Sequence, residues 1–503
     1  MRGLLLCSSF AACAAILGHS RGSPHLWGWD AAASKNEFHF SQRQDHFDDG
    51  NEHRWMQAYY MNDTFWAGNE SDVPIFLYVG GEGPLSDASV THNFITDWLP
   101  KTKGLLFSVE HRYYGCIRNS SSCPYDQSTK GHLEFLSSHQ ALADLASFHR
   151  FATRKYHLRA DAKWVAIGGS YPGMLAAFMR AVYPQLFHSA VASSAPVRGT
   201  LDMTEFEDIV SSAYALDVEG VRGSTECRHA IGVSHHKVGE LLKSDDGRKQ
   251  LAKLFPGAVR SAEWLEDKTN QRTFAGCGVA SFPAQANSPT CSWPACGISQ
   301  ICKIMANSSL GEPLVRLSKV RALQDMTNMV ASCEMDWQMP GDVPEQESEN
   351  TVNVYWGYQT CTEFGFYQTC EAGTDCFFTQ GLVSFNNTDH KPNDFCSRVF
   401  GVSTEKTLKA VEKTNAYYSK KLAAATRIIW PNGNVDPWHG RSHLTPPGQE
   451  QVAIWPIEGA SHCEWMAPAR ETDIQSLRDA RLKIFAQLST WLEKDSSAES
   501  VIV

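Results

Sequence analysis

Trp164-Val165-Ala166-Ile167-Gly168-Gly169-Ser170-Tyr171-Pro172-Gly173-Met174 is an apolar run that meets two glycines and a serine, then residues compatible with a helix to about Arg180. The pattern predicts a strand, a sharp turn and a helix, with Ser170 at the apex. That geometry lifts a nucleophilic hydroxyl above the end of a sheet. The glycines before Ser170 let strand and helix backbones approach around the turn. Pro172 stands where such an elbow ordinarily carries its second glycine. In the first turn of a helix a proline gives up only an N–H that needs no partner. The Tyr171 N–H stays available as an oxyanion donor. Taken alone, a Gly-x-Ser turn is also an ordinary strand-to-helix connection.

Two downstream loops complete a catalytic set. Thr426-Arg427-Ile428-Ile429-Trp430 predicts a short strand that runs into the turn-rich segment Pro431–Trp438, which carries Asp436. Val452–Ile457 predicts a second strand, followed by Glu458-Gly459-Ala460-Ser461-His462-Cys463. The chain order Ser170, Asp436, His462 is that of an α/β-hydrolase. In that arrangement a neutral imidazole takes the serine proton, and the carboxylate fixes its tautomer and stabilises the imidazolium. Each of Asp436 and His462 also has a plain reading as a loop residue.

The rest of the chain is compatible with that fold. Val73–Val79, Leu105–Val109 and His188–Ala192 predict further strands, and Leu133–Thr153 a helix. Strands alternating with helices imply a mostly parallel sheet covered on both faces. The rhythm stops near Pro196 and resumes near Arg427. The intervening stretch carries most of the cysteines and helical patches such as Val210–Leu216 and Leu314–Met329, so it is expected to form a mainly helical, disulfide-containing cap. Ile474, Leu477, Ile484, Leu488 and Trp491 predict a C-terminal amphipathic helix. The expected division is a leader at 1–20, a first hydrolase part at 38–197, a cap at 198–424 and a second hydrolase part at 425–495. Gly80-Gly81-Glu82-Gly83 follows the strand that supplies the second oxyanion donor in this fold, so Gly81 or Glu82 N–H is expected to act with Tyr171 N–H. It lacks the spacing of a dinucleotide fingerprint. The Glu82 carboxylate has two readings: a partner for the amino terminus of a substrate, or an ion-pair partner for Arg112.

The chain has 503 residues, more than one core usually serves, with 43% hydrophobic and 20% charged residues. The net charge is −10 and there is no basic run, which argues against nucleic acid. Arg2, the apolar stretch Gly3–Leu17 and small residues near Gly18 and Ser20 read as a secretory signal, too short for a membrane span. Of 15 cysteines, Cys7 and Cys13 leave with that signal, so 13 remain, an odd number. No pair has C-x-x-C or zinc spacing, and no metal or cofactor is expected. Cys116 and Cys123 are spaced to close a small loop. Glycosylation sequons begin at Asn62, Asn69, Asn119, Asn307 and Asn386.

Several blocks carry a family likeness. Gly168-Gly169-Ser170-Tyr171, Asn432-Gly433 with Asp436-Pro437-Trp438, Gly459 with Ser461-His462, Gln44-Asp45-His46-Phe47, Glu110-His111-Arg112-Tyr113-Tyr114-Gly115 and Gln140–Leu145 resemble the S28 family of serine peptidases. Within it the nearest likeness is to the thymus-specific serine protease branch, on Tyr358–Tyr367 and on His462-Cys463 with Met466-Ala467-Pro468. The resemblance spans about 38 to 493 and implies a helical cap of that family's SKS type. It implies a serine exopeptidase of the secretory pathway, lysosomal, endosomal or extracellular, acting on short peptides. Met174 and Trp438 match positions that line the family's specificity pocket, where apolar surfaces hold a proline ring; both also read as core residues. Pro172 departs from the pattern of the family's carboxypeptidases and dipeptidyl peptidases, so their proline preference does not transfer automatically. The competing function is a secreted lipase or esterase, since the same triad serves any acyl transfer. A binding protein without catalysis is disfavoured by the intact Ser170, Asp436 and His462. No nucleic-acid partner and no membrane span are expected, and a homodimer is left open.

Overall fold

The computed structural model describes residues 36–69, 72–117, 123–125, 133–276, 278–327, 349–387 and 391–498. The expected leader and Asn119 lie outside them. Eight strands form one sheet: β1 (Glu37–Arg43), β2 (Arg54–Asn62), β3 (Ile75–Val79), β4 (Leu105–Val109), β5 (Trp164–Gly169), β6 (Ser189–Ser193), β9 (Ile428–Gly433) and β10 (Val452–Ile457). Their order is β1-β2-β4-β3-β5-β6-β9-β10. The pairings of β2 with β1 and β4 are antiparallel, and every other pairing is parallel.

Residues of β3 to β6 are buried throughout, as a parallel sheet covered on both faces requires. The two-residue alternation sends Leu77, Phe107 and Ala166 to one face, against the helices Ser138–Lys155 and Tyr171–Val182. Phe76, Leu106, Val165 and Ile167 go to the other face, against Ile484, Leu488 and Trp491 of the helix Gln475–Ala498. The helix expected from Leu133 begins at Ser138, because the Ser137 side chain caps it by accepting from Gln140 N.

Two features depart from the expected pattern. Strands β1 and β2 were not legible, because their alternation is interrupted by buried glutamines. Gln42 donates to Gln57 Oε1 at 2.9 Å, and Gln57 donates to Glu110 O at 2.7 Å, so polar residues occupy core positions at no loss of hydrogen bonds. Pro431, Asn432 and Gly433, expected in a turn, belong to β9. Pro431 lacks an N–H, but its carbonyl still accepts from Ser194 N at 2.9 Å.

The segment between β6 and β9 is mainly helical. It includes the helices Thr204–Ala213, Thr225–Leu241, Pro313–Asp325, Glu349–Gln359 and Thr404–Ala424, and a parallel ribbon of β7 (Thr200–Met203) and β8 (Gly365–Gln368). Within it Cys227–Cys302, Cys291–Cys296, Cys361–Cys396 and Cys370–Cys376 are bonded. Cys116–Cys123 closes the small loop expected of it, and Cys463 is also disulfide-bonded. The segment joins the sheet's core: Tyr418 stacks on Phe178, ring centres 3.7 Å apart. Among the described residues no helix is long and apolar enough to cross a membrane.

Candidate active site

Ser170 stands between β5 and the helix Tyr171–Val182 at φ 63°, ψ −131°, a conformation that costs a non-glycine residue energy and recurs at functional turns. Two bonds hold it there: its N–H donates to Ser193 O at 2.9 Å, and its carbonyl accepts from Met174 N at 3.0 Å. Strand and helix cross so closely that a Cβ on Gly168 would lie 2.2 Å from Pro172 O. Pro172 occupies the first helical turn. Its ring fills the space a Gly81 side chain would need, since a Cβ there would lie 2.1 Å from Pro172 Cγ. The proline at the second glycine position is thus accommodated by a glycine on the neighbouring loop.

Asp436 and His462 meet after β9 and β10. Asp436 Oδ1 lies 2.8 Å from His462 Nδ1 and accepts from Trp438 N at 2.9 Å. A carboxylate only accepts, so Nδ1 carries a proton, and in the neutral ring the lone pair is then on Nε2. Both side chains are buried. The dipeptide Ser193-Ser194 at the end of β6 ties this unit to the elbow. Ser193 O takes the Ser170 N–H, Ser193 Oγ accepts from Trp465 Nε1 at 2.7 Å, and Ser194 Oγ accepts from Cys463 N at 3.0 Å.

The loop after β3 borders the elbow. The residue Glu82 is partly exposed, but burial of its carboxyl group pushes it up to about 8. Bonds from its own backbone and from the Ser170 hydroxyl oppose that shift. The alternative reading of Glu82 as a partner of Arg112 does not hold. Arg112 is buried and forks onto Asp144, with Nε and Nη2 each 2.7 Å from a carboxylate oxygen, while Nη1 donates to the carbonyls of Gln44 and Phe135.

A profile described as serine carboxypeptidase S28 matches residues 42–484. The chain belongs to the S28 family. It is 33% identical over 489 residues to human thymus-specific serine protease, covering 93% of this chain and 88% of that protein. It is 31% identical over 491 residues to a putative serine protease of Caenorhabditis elegans, covering 93% and 90%. It is 27% identical over 475 residues to human lysosomal Pro-X carboxypeptidase, covering 92% and 89%. This S28 protein is a serine-type peptidase with a mostly parallel α/β-hydrolase-like sheet.

The S28 chain surrounds its elbow with a buried polar chain that sequence reasoning did not assign. His111 Nδ1 faces Arg112 O at 2.7 Å and so carries the proton; Nε2 then accepts from the Tyr171 hydroxyl at 2.9 Å. Burial holds the His111 pKa down at about 4, so the ring is neutral. Tyr171 Oη accepts in turn from Gln359 Nε2 at 2.9 Å, and Gln359 Oε1 accepts from the Tyr114 hydroxyl at 2.6 Å. Glu363 closes the chain, taking the N–H and hydroxyl of Ser138. These residues sit in the Glu110–Gly115 and Tyr358–Tyr367 blocks. Their signal was polar residues amid apolar neighbours, which carries no partner information.

Met174 is buried in the core beneath the elbow. Trp438 is also buried, packing edge-on against Phe206 and Phe366 at 5.3 and 5.4 Å, with its ring 6.2 Å from that of His462. Its indole N–H donates to Gln285 Oε1 at 3.0 Å. Gln285 also accepts the His462 N–H on its backbone carbonyl at 3.1 Å, a contact no motif announced. Of the sequon asparagines, Asn307 and Asn386 are exposed, Asn386 Nδ2 donating to Glu371 Oε2 at 3.0 Å, while Asn62 and Asn69 are half-buried and donate to Val90 O and Tyr156 O.

Proposed function

We propose that this protein is a serine exopeptidase of the secretory pathway, lysosomal or extracellular, that hydrolyses short peptides through Ser170, His462 and Asp436. The observation that carries this reading is the buried 2.8 Å Asp436–His462 bond, tethered to the Ser170 elbow through Ser193-Ser194. Ser170 Oγ adds to the scissile carbonyl while its proton passes to His462 Nε2. The charge developing on the carbonyl oxygen is taken by the N–H groups of Tyr171 and of Gly81 or Glu82. Tyr171 opens its helix, so its N–H has no intrahelical acceptor. Collapse breaks the C–N bond, and His462 returns the proton to the leaving amine. Water then repeats the sequence on the acyl-enzyme and frees Ser170.

The segment 198–424 acts as a cap in this reading. Ser170 and His462 are 3% and 1% exposed, which favours chain ends over folded loops as substrates. Met174 and Trp438 supply apolar pocket surface. Cleavage next to proline is proposed from the name of the Pro-X carboxypeptidase relative. The Glu82 carboxyl, held protonated by burial below about 8 in the free protein, loses its proton to solvent when a substrate ammonium binds beside it, so acetylating the amino terminus is expected to lower kcat/KM sharply, and Glu82→Gln to affect the free peptide more than the acetylated one. The sequons of the exposed Asn307 and Asn386 carry glycans. The primary test is covalent labelling by a fluorophosphonate, which Ser170→Ala is expected to abolish along with turnover. Labelling that persists in purified Ser170→Ala protein would assign the nucleophile elsewhere.

A further inference from the structure

We propose that Gln285 is a substrate-binding residue whose side-chain Nε2 donates a hydrogen bond to an oxygen of the bound peptide, a main-chain carbonyl or a terminal carboxylate. The proposal rests on the reading of Ser170, Asp436 and His462 as the catalytic unit.

Three polar atoms of Gln285 are in question, and two are committed to the site. The backbone carbonyl takes the His462 N–H at 3.1 Å, and Oε1 takes the Trp438 indole N–H at 3.0 Å. The second bond also settles the orientation of the amide. An indole nitrogen only donates, so the atom facing it must be the oxygen and the NH₂ must occupy the other position. That NH₂ has no hydrogen-bond partner among the described residues, although the side chain is buried, with 8% of the residue exposed. A buried donor left unpaired is costly, and such groups are rare in folded proteins. The amide that carries it is bonded to the Trp438 indole, whose ring centre lies 6.2 Å from that of His462, which puts the donor in the neighbourhood of the catalytic residues.

The turn that carries Gln285 is held firmly on both sides. Asn287 donates to Gly220 O and accepts from Ile298 N, each at 3.0 Å. Gln324 accepts from Ser281 N and donates to Ser281 O, at 2.8 and 2.9 Å. The donor therefore cannot relax easily toward a protein acceptor. A rigid, desolvated donor next to the reacting groups is the arrangement that rewards a matching ligand oxygen and penalises its absence. Peptides carry such oxygens at every residue.

The test uses the full-length protein and an equimolar mixture of tri- to hexapeptides, with free and with amidated carboxyl termini, followed by mass spectrometry. Gln285→Glu keeps an oxygen for the Trp438 indole and replaces the donor by an acceptor. It is expected to lower kcat/KM on the cleaved peptides by about 10- to 100-fold. The rate of labelling by a small fluorophosphonate, which has no peptide to bind, is expected to stay within about twofold of wild type, as that reaction needs only the nucleophile and its base. Gln285→Met lacks the donor and also leaves the Trp438 indole N–H without its acceptor, so a loss on peptides at least as large is expected, which keeps the test usable should the Glu variant fold poorly. If amidated peptides lose less than free ones, the acceptor is the terminal carboxylate; equal losses assign a main-chain carbonyl. Unchanged peptide turnover in both variants overturns the proposal. So does a parallel loss of labelling and turnover, which would make Gln285 only a brace for the His462 loop. Failure of the underlying reading looks different: the wild-type protein would not be labelled at Ser170 at all.

Discussion

Asp436→Asn separates charge from geometry in this site. Asp436 Oδ1 accepts both the His462 Nδ1–H and the Trp438 N–H, while Oδ2 is buried with no hydrogen-bond partner among the described residues. An asparagine that keeps its carbonyl oxygen in the Oδ1 position retains both bonds and the imidazole tautomer. The flipped amide would point NH₂ at the Trp438 N–H, donor against donor, so the backbone holds the productive orientation. What is lost is the negative charge opposite the imidazolium. Removing one member of a buried pair costs about 3–5 kcal/mol, of which the retained neutral bonds return about 1. A net loss of about 2–4 kcal/mol corresponds to a fall in kcat of roughly 30- to 1,000-fold. Asp436→Ala, which also strands two buried N–H groups, is expected to be at least about tenfold slower still. The assay is steady-state kcat on a cleaved peptide together with the rate of fluorophosphonate acylation. A loss of about 10⁴-fold in the asparagine variant, equal to that of alanine, would mean the tautomer had switched and Trp438 N–H does not hold the amide. A loss under about threefold would remove Asp436 from the proton-transfer unit.

Gly81→Ala is expected to lower both melting temperature and kcat, because its methyl group would overlap the Pro172 ring, and adding Pro172→Gly is expected to restore much of both; an additive pair measured by thermal melts and turnover would refute the complementarity. Gln359→Leu is expected to lower kcat with little change in KM, by releasing Tyr171, and to have little further effect in a Tyr171→Phe background; additive losses in that cycle would show Gln359 acting elsewhere. Stability is expected to peak at mildly acidic pH. Burial raises Glu82 and Glu207 to about 8 and Glu464 to about 7, so their contribution is present below the unfolded carboxyl pKa and is lost as pH rises toward 8. Burial lowers His111, His149 and His443 to about 4 and His235 to about 3, so theirs is present above the unfolded value near 6.5 and is lost as pH falls. The two sets oppose each other between about 4.5 and 6.5, and only the carboxyl set acts above that. Melting temperatures that rise from pH 6.5 to 8 would contradict this account.

Much of this protein follows from local sequence. β4 and β10 match their expected bounds, β3, β5, β6 and β9 shift by at most a few residues, and the elbow forms where Gly168-Gly169-Ser170 placed it. Buried parallel strands are apolar runs, and a strand-to-helix turn needs small residues at set offsets; both signals lie within a dozen residues. The order of Ser170, Asp436 and His462 was equally legible, because each follows a strand. Other features depend on the tertiary structure. β1 and β2 escaped notice because Gln42 finds its acceptor on Gln57, across 15 residues of chain, and Gln57 finds its own on the Glu110 carbonyl. Arg112 chose Asp144 over Glu82 only once the fold brought residues 32 apart into one dry pocket. Gln285 and Gln359 reach the site across 153 and 188 residues, from a segment whose sequence shows helices and cysteines but no chemistry. A hydrophobic pattern repeats and can be read along the chain. A buried polar side chain declares only that it needs a partner, and which partner it finds is decided when distant segments pack.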